Sequence, residues 1–248
     1  MSPIVLITGA SRGIGAATAR LAAARGYDVA VNYQHNLEAA ETVAEAVREY
    51  GRKAMVVGAD VANEEQVVEM FQSVDAQLGT LSALVNNAGI LEPQSRVEDM
   101  TAERLQRVFA VNITGTLLCT REAIRRMSVH QGGHGGAIVN LSSRAAQLGA
   151  ANEYVDYAAS KGAVDSLTIG LAKELASDKI RINAVRPGYI DTEIHASGGE
   201  PGRVARIAPT LPLERGGTVE EVAEAILWLL SEQASYSTGT FIDVSGGR

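Results

Sequence analysis

Short runs of consecutive apolar residues alternate along this chain with longer segments in which apolar residues recur at helical spacing. The runs are typical of buried strands, and the helical period indicates amphipathic helices. The predicted strands are Ile4–Thr8, Asp28–Tyr33, Lys53–Gly58, Ala83–Asn86, Ala137–Ser142, Arg181–Val185 and Phe241–Val244. The predicted helices are Ile14–Arg25, Asn36–Tyr50, Glu64–Leu78, Arg104–Met127, Val155–Ala176 and Val219–Ser231.

Most of these strands are apolar throughout instead of alternating, which indicates burial on both faces of a sheet. The strand–helix rhythm therefore predicts an α/β fold: a Rossmann-type, doubly wound parallel sheet of about seven strands with helices on both faces. No linker divides the chain, so residues 1–248 are predicted to form a single domain. The segment Asp191–Gly217 is rich in glycine and proline, and such a long irregular segment indicates a loop or lid over a binding site.

Composition excludes several functional classes. The 248 residues carry a net charge of −7, which argues against general affinity for nucleic acid or an anionic membrane. The only cysteine, Cys119, excludes an internal disulfide and fits a reducing compartment. No leader segment precedes the first strand, so we expect a cytoplasmic protein. His130 and His134 are not followed by further ligands at metal-binding spacing, so no metal site is predicted.

A glycine cluster, Thr8-Gly9-Ala10-Ser11-Arg12-Gly13-Ile14-Gly15, follows the first strand and opens the first helix. Glycine lets the backbone approach a pyrophosphate, and the helix N-terminus offers free N–H groups, so this turn predicts nucleotide binding. The same residues also match G-x-S-x-G, the nucleophile turn of α/β-hydrolases. That alternative places the turn after the first strand and leaves His195, in the irregular segment, as the last histidine, so it is less favoured.

The residues after the second strand indicate which nicotinamide cofactor would bind. NAD-binding folds usually carry an acid there for the ribose 2′-hydroxyl, whereas this chain has Asn32 and Tyr33 and no carboxylate before Glu38. Arg12 could meet a 2′-phosphate, with Asn32 and His35 as helpers. The pattern therefore favours NADP over NAD.

Tyr157 and Lys161 are four residues apart on one predicted helix face, where an ammonium would lower the pKa of a phenol. This spacing alone is a weak signal, because it also occurs on solvated helix faces. Other polar groups accompany it: Ser142 and Ser143 end the fifth strand, residues 86–89 (Asn-Asn-Ala-Gly) end the fourth, and Asn112 lies within an apolar helical segment.

Together these ordered motifs resemble the short-chain dehydrogenase/reductase family along essentially the whole chain. The resemblance implies Tyr157 as the proton donor or acceptor, Lys161 lowering its pKa and holding the nicotinamide ribose, and Ser143 orienting the substrate carbonyl, with Ser142 as the alternative serine. Asn112 would support a proton-relay water through its helix backbone. The implied cofactor contacts are Asp60, Val61, Asn87, Ala88, Gly89, Pro187, Gly188, Ile190 and Thr192, in addition to the glycine turn.

The sequence therefore predicts an NADP-dependent oxidoreductase that interconverts a carbonyl and a secondary alcohol. A 3-oxoacyl-carrier-protein reductase, for which Arg203 and Arg206 could supply a basic patch, and a sugar dehydrogenase are alternatives within the family. A non-catalytic NADP-binding protein is the alternative of another class. The resemblance also implies a homotetramer, with a homodimer as the alternative. The small-molecule substrate is expected to be selected by residues 148–154 and by the irregular segment.

Overall fold

A computed structural model describes residues 2–248 and contains a seven-stranded, wholly parallel sheet. The strand order is β3-β2-β1-β4-β5-β6-β7. The strands are β1 Ile4–Ile7, β2 Asp28–Tyr33, β3 Ala54–Gly58, β4 Ala83–Asn86, β5 Gly136–Leu141, β6 Ile180–Pro187 and β7 Phe241–Val244. The predicted Rossmann-type fold is confirmed, and its direction of winding reverses between β1 and β4.

Helices cover both faces of the sheet, which explains the unbroken apolar runs. They are α1 Gly13–Ala24, α2 Leu37–Glu49, α3 Glu64–Gln77, α4 Ala102–Phe109, α5 Thr116–Met127, α6 Ala145–Leu148, α7 Val155–Glu174, α8 Ile194–Ser197, α9 Arg203–Ile207 and α10 Val219–Leu230. Val5 and Ile7 of β1 pack towards α1, α2 and α10. Leu6, which points the other way, packs towards α3, α5 and α7. Alternate residues of one strand thus fill two cores.

The predicted helix Arg104–Met127 is not continuous. A π-helical segment, Ala110–Gly115, separates α4 from α5. Wide π turns inside helices are uncommon and often accompany functional sites. Here the segment contains Asn112, which is fully buried, so the interruption falls at a polar residue that the sequence had singled out.

The segment Asp191–Gly217 is more ordered than its composition indicated, because it contains α8, α9 and a 3₁₀ turn at Ala208–Thr210. Its two ends are joined: the Asp191 N–H donates to the Gly217 carbonyl at 3.0 Å, and the Gly217 N–H donates to the Tyr189 carbonyl at 2.9 Å. The segment is therefore a closed excursion from the end of β6. In residues 2–248, every helix is too short or too polar to cross a bilayer.

Candidate active site

A cleft of about 1460 Å³ opens at the carboxyl ends of the strands, around the point where the winding reverses. This is where open α/β sheets bind ligands. Most of the predicted site residues line it: Gly9, Ser11, Arg12, Gly13, Ile14, Asn32, Asp60, Val61, Asn87, Ala88, Gly89, Ser143, Tyr157, Lys161, Pro187, Gly188, Ile190 and Thr192. Gly15, Tyr33 and Asn112 are not among the residues that line it.

The glycine turn has the geometry of a phosphate cradle. Gly9 and Gly13 have φ values of +60° and +54°, a conformation that favours glycine. A Cβ on Gly9 would lie 3.0 Å from the Ala88 Cα, so a side chain would also crowd the cleft wall. In the described chain no side chain caps the N-terminus of α1 at Arg12. Its first N–H groups and positive dipole end therefore suit a pyrophosphate.

Gly15 shapes this turn from behind. A Cβ there would lie 2.5 Å from the Asn87 Nδ2 and 2.6 Å from the Gly9 carbonyl oxygen. Thr8, the first residue of the predicted cluster, braces the same region: its hydroxyl accepts hydrogen bonds from the N–H groups of Asn87 and Ala88, each at 3.0 Å. Thr8 directly follows β1, so these bonds join the end of β1 to the end of β4.

Asn32 holds the turn against the sheet. Its Oδ1 accepts from the Gly9 N–H at 3.0 Å, and its Nδ2 donates to the carbonyls of Val57 and Ala59, each at 3.2 Å. Because these bonds occupy the amide, Asn32 braces the site and has no free donor for a 2′-phosphate. Tyr33 packs against Gly58, where a Cβ would lie 3.1 Å from the phenol ring.

The end of the cleft beside α1 and α2 carries positive charge. Arg12 and Arg20 supply this charge, and the neighbouring Gln34, His35 and Asn36 include no carboxylate. Arg20 was not predicted from the sequence because it lies five residues after Gly15, outside the glycine cluster, although helical periodicity was the signal that could have found it. This end of the cleft therefore presents cations where an NAD site usually presents an acid.

The structure separates the two candidate serines. The Ser143 hydroxyl lies close to the Tyr157 phenol and accepts from the Ala145 N–H at 3.1 Å. The Ser142 hydroxyl is buried and donates to the Lys161 carbonyl at 3.3 Å. Burial raises the pKa of Tyr157 to about 12, and the nearby Ser143 hydroxyl opposes that rise. Ser143 is thus the serine beside the phenol.

Lys161 lies beneath Tyr157, with its Nζ 5.5 Å from the ring centroid. The ammonium donates to the Leu141 carbonyl at 2.7 Å. Burial lowers the pKa of Lys161 to about 8, and the charge of Asp165 partly offsets this. The end of β5 therefore fixes a cation next to a phenol in a site largely screened from water.

Asn112 does not reach the cleft. Its Oδ1 accepts from the Ile90 N–H at 2.8 Å, and its Nδ2 donates to the Ile90 carbonyl at 3.1 Å and to Ser160 Oγ at 3.0 Å. A Cβ on Gly89 would lie 3.4 Å from both the Asn112 Oδ1 and the Lys161 Nζ. Asn112 therefore connects the π segment to α7, close to the buried ammonium.

A buried ion pair, also missed from the sequence, fixes the start of α7. Arg104 contacts Asp156 at 2.7 Å, and its Nη1 donates to the Pro93 carbonyl at 2.6 Å. The Tyr157 N–H donates to Asp156 Oδ1 at 2.9 Å. This pair ties α4 and the segment after β4 to the residue preceding Tyr157. Asp156 can be recognised in the sequence as an acidic residue in the first turn of the predicted helix, but Arg104 lies 52 residues away and its pairing leaves no local signal.

Three comparisons with known proteins agree with this geometry. A family model described as enoyl-(acyl carrier protein) reductase matches residues 9–248. Uncharacterized oxidoreductase YgfF of Escherichia coli (strain K12) is 59% identical over 99% of each chain. A cis-4-hydroxycyclohexanecarboxylate dehydrogenase from Sinomonas cyclohexanicum is 41% identical and covers 98% of this chain and 95% of its own. The crystal structure of a short-chain type dehydrogenase/reductase from Mycobacterium marinum superposes with a TM-score of 0.91 at 38% identity, covering 98% of this chain and 94% of its own.

Replacement of Asn32 tests its bracing role. Asn32→Asp would point a carboxylate at the Val57 and Ala59 carbonyls and remove both donated bonds, so we expect it to lower the free energy of unfolding by about 3 kcal/mol or more. Asn32→Ala should cost roughly 1–2 kcal/mol, because no like-charged oxygens are brought together. Urea denaturation measures both. The neighbouring, exposed Gln34→Ala is the control, and equal losses for the two Asn32 variants would refute the assignment.

Proposed function

We propose that this chain, which belongs to the short-chain dehydrogenase/reductase family and is an oxidoreductase of CH–OH and C=O groups, uses NADPH in preference to NADH and Tyr157 as its acid/base. The observation that carries the proposal is one continuous cleft. It has the glycine turn at one end and, at the other, a phenol that contacts both a serine hydroxyl and a buried ammonium.

The bound nicotinamide would supply the hydride, which is the chemistry that the cofactor contributes in this family. The protein side chains handle the proton. Because burial raises the pKa of Tyr157 to about 12, the phenol is protonated at neutral pH and can donate to the oxygen of a reacting carbonyl. Ser143, which lies close to the phenol, would donate a hydrogen bond to that same oxygen, and the Lys161 charge would favour the phenolate left behind. In alcohol oxidation the same groups act in reverse.

The preference for NADPH is supported by charge at the adenosine end of the cleft. Arg12 and Arg20 line that end, and neither is ion-paired within residues 2–248. No carboxylate follows β2 before Glu38, and the side-chain amide of Asn32, near the end of β2, is already hydrogen-bonded. A 2′-phosphate would therefore meet guanidinium groups, whereas the acid that usually binds a ribose 2′-hydroxyl is missing.

The structure weakens the case for a carrier-protein substrate. Arg203 is buried and contacts Glu153 and Glu200, and Arg206 also contacts Glu200. These pairs neutralise the basic patch that the two arginines could have offered to an acidic carrier. The hydrolase alternative is likewise disfavoured, because the His195 Nε2 bonds the Ile190 carbonyl at 2.9 Å and the ring lies on the excursion after β6.

Assembly into a homotetramer, or a homodimer, completes the proposal. Leu117 on α5 and Ile169 on α7 are 44% and 47% exposed. A shallow apolar groove runs between these helices beside Ile113 and Val164. Burial of such a face between identical subunits would remove apolar surface from water.

The roles of the two serines and Tyr157 can be separated by exchange. Tyr157→Phe should lower kcat by about 100-fold or more because the proton donor is lost, and Ser143→Ala should lower it by roughly tenfold or more because one donor to the carbonyl oxygen is lost. Ser142→Ala should retain most activity. Loss of absorbance at 340 nm from NADPH with a panel of ketones measures all three. Full loss in Ser142→Ala with an active Ser143→Ala would reverse the serine assignment.

Cofactor preference can be tested at the two arginines. Arg12→Ala should raise the KM for NADPH by roughly tenfold, as expected for the loss of a charge-assisted contact, and leave the KM for NADH nearly unchanged. Arg20→Ala should act in the same direction with a smaller effect. Arg52→Ala, which alters an arginine outside the cleft, is the matched control. Equal changes for NADPH and NADH would contradict the proposed phosphate contact.

A further inference from the structure

The substrate end of the cleft has a wall of two tyrosines and two arginines: Tyr154, Tyr189, Arg203 and Arg248. All four line the cleft that contains Tyr157. The Arg203 guanidinium lies 5.0 Å from the Tyr154 ring centroid and 5.5 Å from that of Tyr189. The Arg248 guanidinium lies 5.2 Å from the Tyr189 centroid. Tyr189 therefore contacts both cations.

One of the two arginines in this wall is fully compensated. Arg203 is buried, with only 6% of its side chain exposed, and contacts Glu153 and Glu200. The nearby Arg144 is also paired, since it contacts Asp243 at 2.7 Å. Because carboxylates already neutralise Arg203 and Arg144, neither guanidinium is available for a further anion, and both stabilise the wall.

Arg248 differs from these neighbours. Its main-chain oxygen accepts from the Arg144 Nε at 2.7 Å, and its N–H donates to the Ser245 carbonyl at 3.4 Å. The preceding Gly247 lies against Pro212 of the excursion after β6, where a Cβ would lie 3.0 Å from the proline ring. The backbone is thus anchored. Within residues 2–248 no Asp or Glu side chain reaches ion-pair distance of the Arg248 guanidinium.

The acids that line the cleft are Asp60, Glu153, Asp191 and Glu193, and within residues 2–248 none of them forms an ion pair with Arg248. Glu153 is taken by Arg203. Glu193 lies on the cofactor side, because its Oε2 would be 3.8 Å from a Cβ on Gly13. Apolar side chains, including Leu91, Leu148 and Ile207, line the same cleft. The substrate end therefore combines apolar surface with one guanidinium that forms no ion pair with an Asp or Glu side chain.

We propose that Arg248 binds an anionic group of the substrate, so that the enzyme acts on hydroxy or oxo compounds with an apolar body and an anionic head. The proposal rests on the oxidoreductase function proposed above and names its substrate class. A guanidinium pairs with a carboxylate or with a phosphate through the same bidentate hydrogen bonds. The stacking contact with Tyr189 would hold the guanidinium ready for either group.

Matched pairs of substrates test the proposal. Oxo acids of increasing size, such as levulinate and 4-oxocyclohexanecarboxylate, are compared with their methyl esters, and dihydroxyacetone phosphate is compared with dihydroxyacetone. The wild-type enzyme should favour the anionic member of at least one pair in kcat/KM. Arg248→Ala should abolish that preference by raising the KM of the anion about tenfold, with little change for the neutral partner. Preference within the oxo-acid or the phosphate pairs identifies the anion.

Two further variants make the test specific. Arg248→Lys keeps the charge and should restore part of the preference. Arg215→Ala removes an exposed arginine that is paired with Glu221 outside the cleft, and should change nothing. An unchanged preference in Arg248→Ala, equal losses for anion and neutral partner, or no preference in the wild type would each overturn the proposal, while turnover of the neutral ketones would leave the oxidoreductase function intact.

Binding without turnover gives a second readout. Calorimetry with NADP⁺ present compares cyclohexanecarboxylate with cyclohexanecarboxamide. Weaker binding of the carboxylate alone in Arg248→Ala supports the anion site even if none of the ketones is reduced, a result that would count against the proposed function instead. Equal binding of the carboxylate by the wild type and Arg248→Ala would overturn the anion site.

Discussion

The active site depends on one buried cation, the ammonium of Lys161. It donates to the Leu141 carbonyl and lies 5.5 Å from the ring centroid of Tyr157. Removal from water disfavours charge on this lysine and lowers its pKa to about 8, while the same burial raises the pKa of Tyr157 to about 12. The ammonium beside the phenol favours the phenolate that forms when Tyr157 gives up its proton.

Several parts of the fold hold this pair in place. The end of β5 supplies the Leu141 carbonyl, and Ser143 follows it directly. The Arg104–Asp156 ion pair fixes the first turn of α7 through the Tyr157 N–H. Breaking a buried pair of this kind is costly, since it leaves a charge without a partner. The π segment adds a third constraint, because Asn112 bonds both Ile90 and Ser160. Three elements distant in sequence thus contact the N-terminal half of α7, which carries both Tyr157 and Lys161.

Sequence reasoning succeeded where local pattern determines structure. Apolar runs located all seven strands, and the glycine spacing located the turn before α1. It failed where distant residues meet. Asn32 was expected at a 2′-phosphate, but its side-chain amide is hydrogen-bonded to the main chain of Gly9, Val57 and Ala59. The helix Arg104–Met127 was expected to be continuous, because a π turn leaves no periodic signal. Arg248 gave no signal at all, since only the folded chain brings it beside Tyr189.

The most direct test of the account is the ionisation of Tyr157, followed by tyrosinate absorbance as the difference between wild type and Tyr157→Phe. Without cofactor, the account predicts ionisation well above the ordinary phenol pKa of about 10. With NADP⁺ bound, the positive nicotinamide ring and Lys161 should together lower this pKa by more than about one unit, and Lys161→Met should reduce that fall. A Tyr157 pKa that does not respond to NADP⁺, or responds equally in Lys161→Met, would contradict the account.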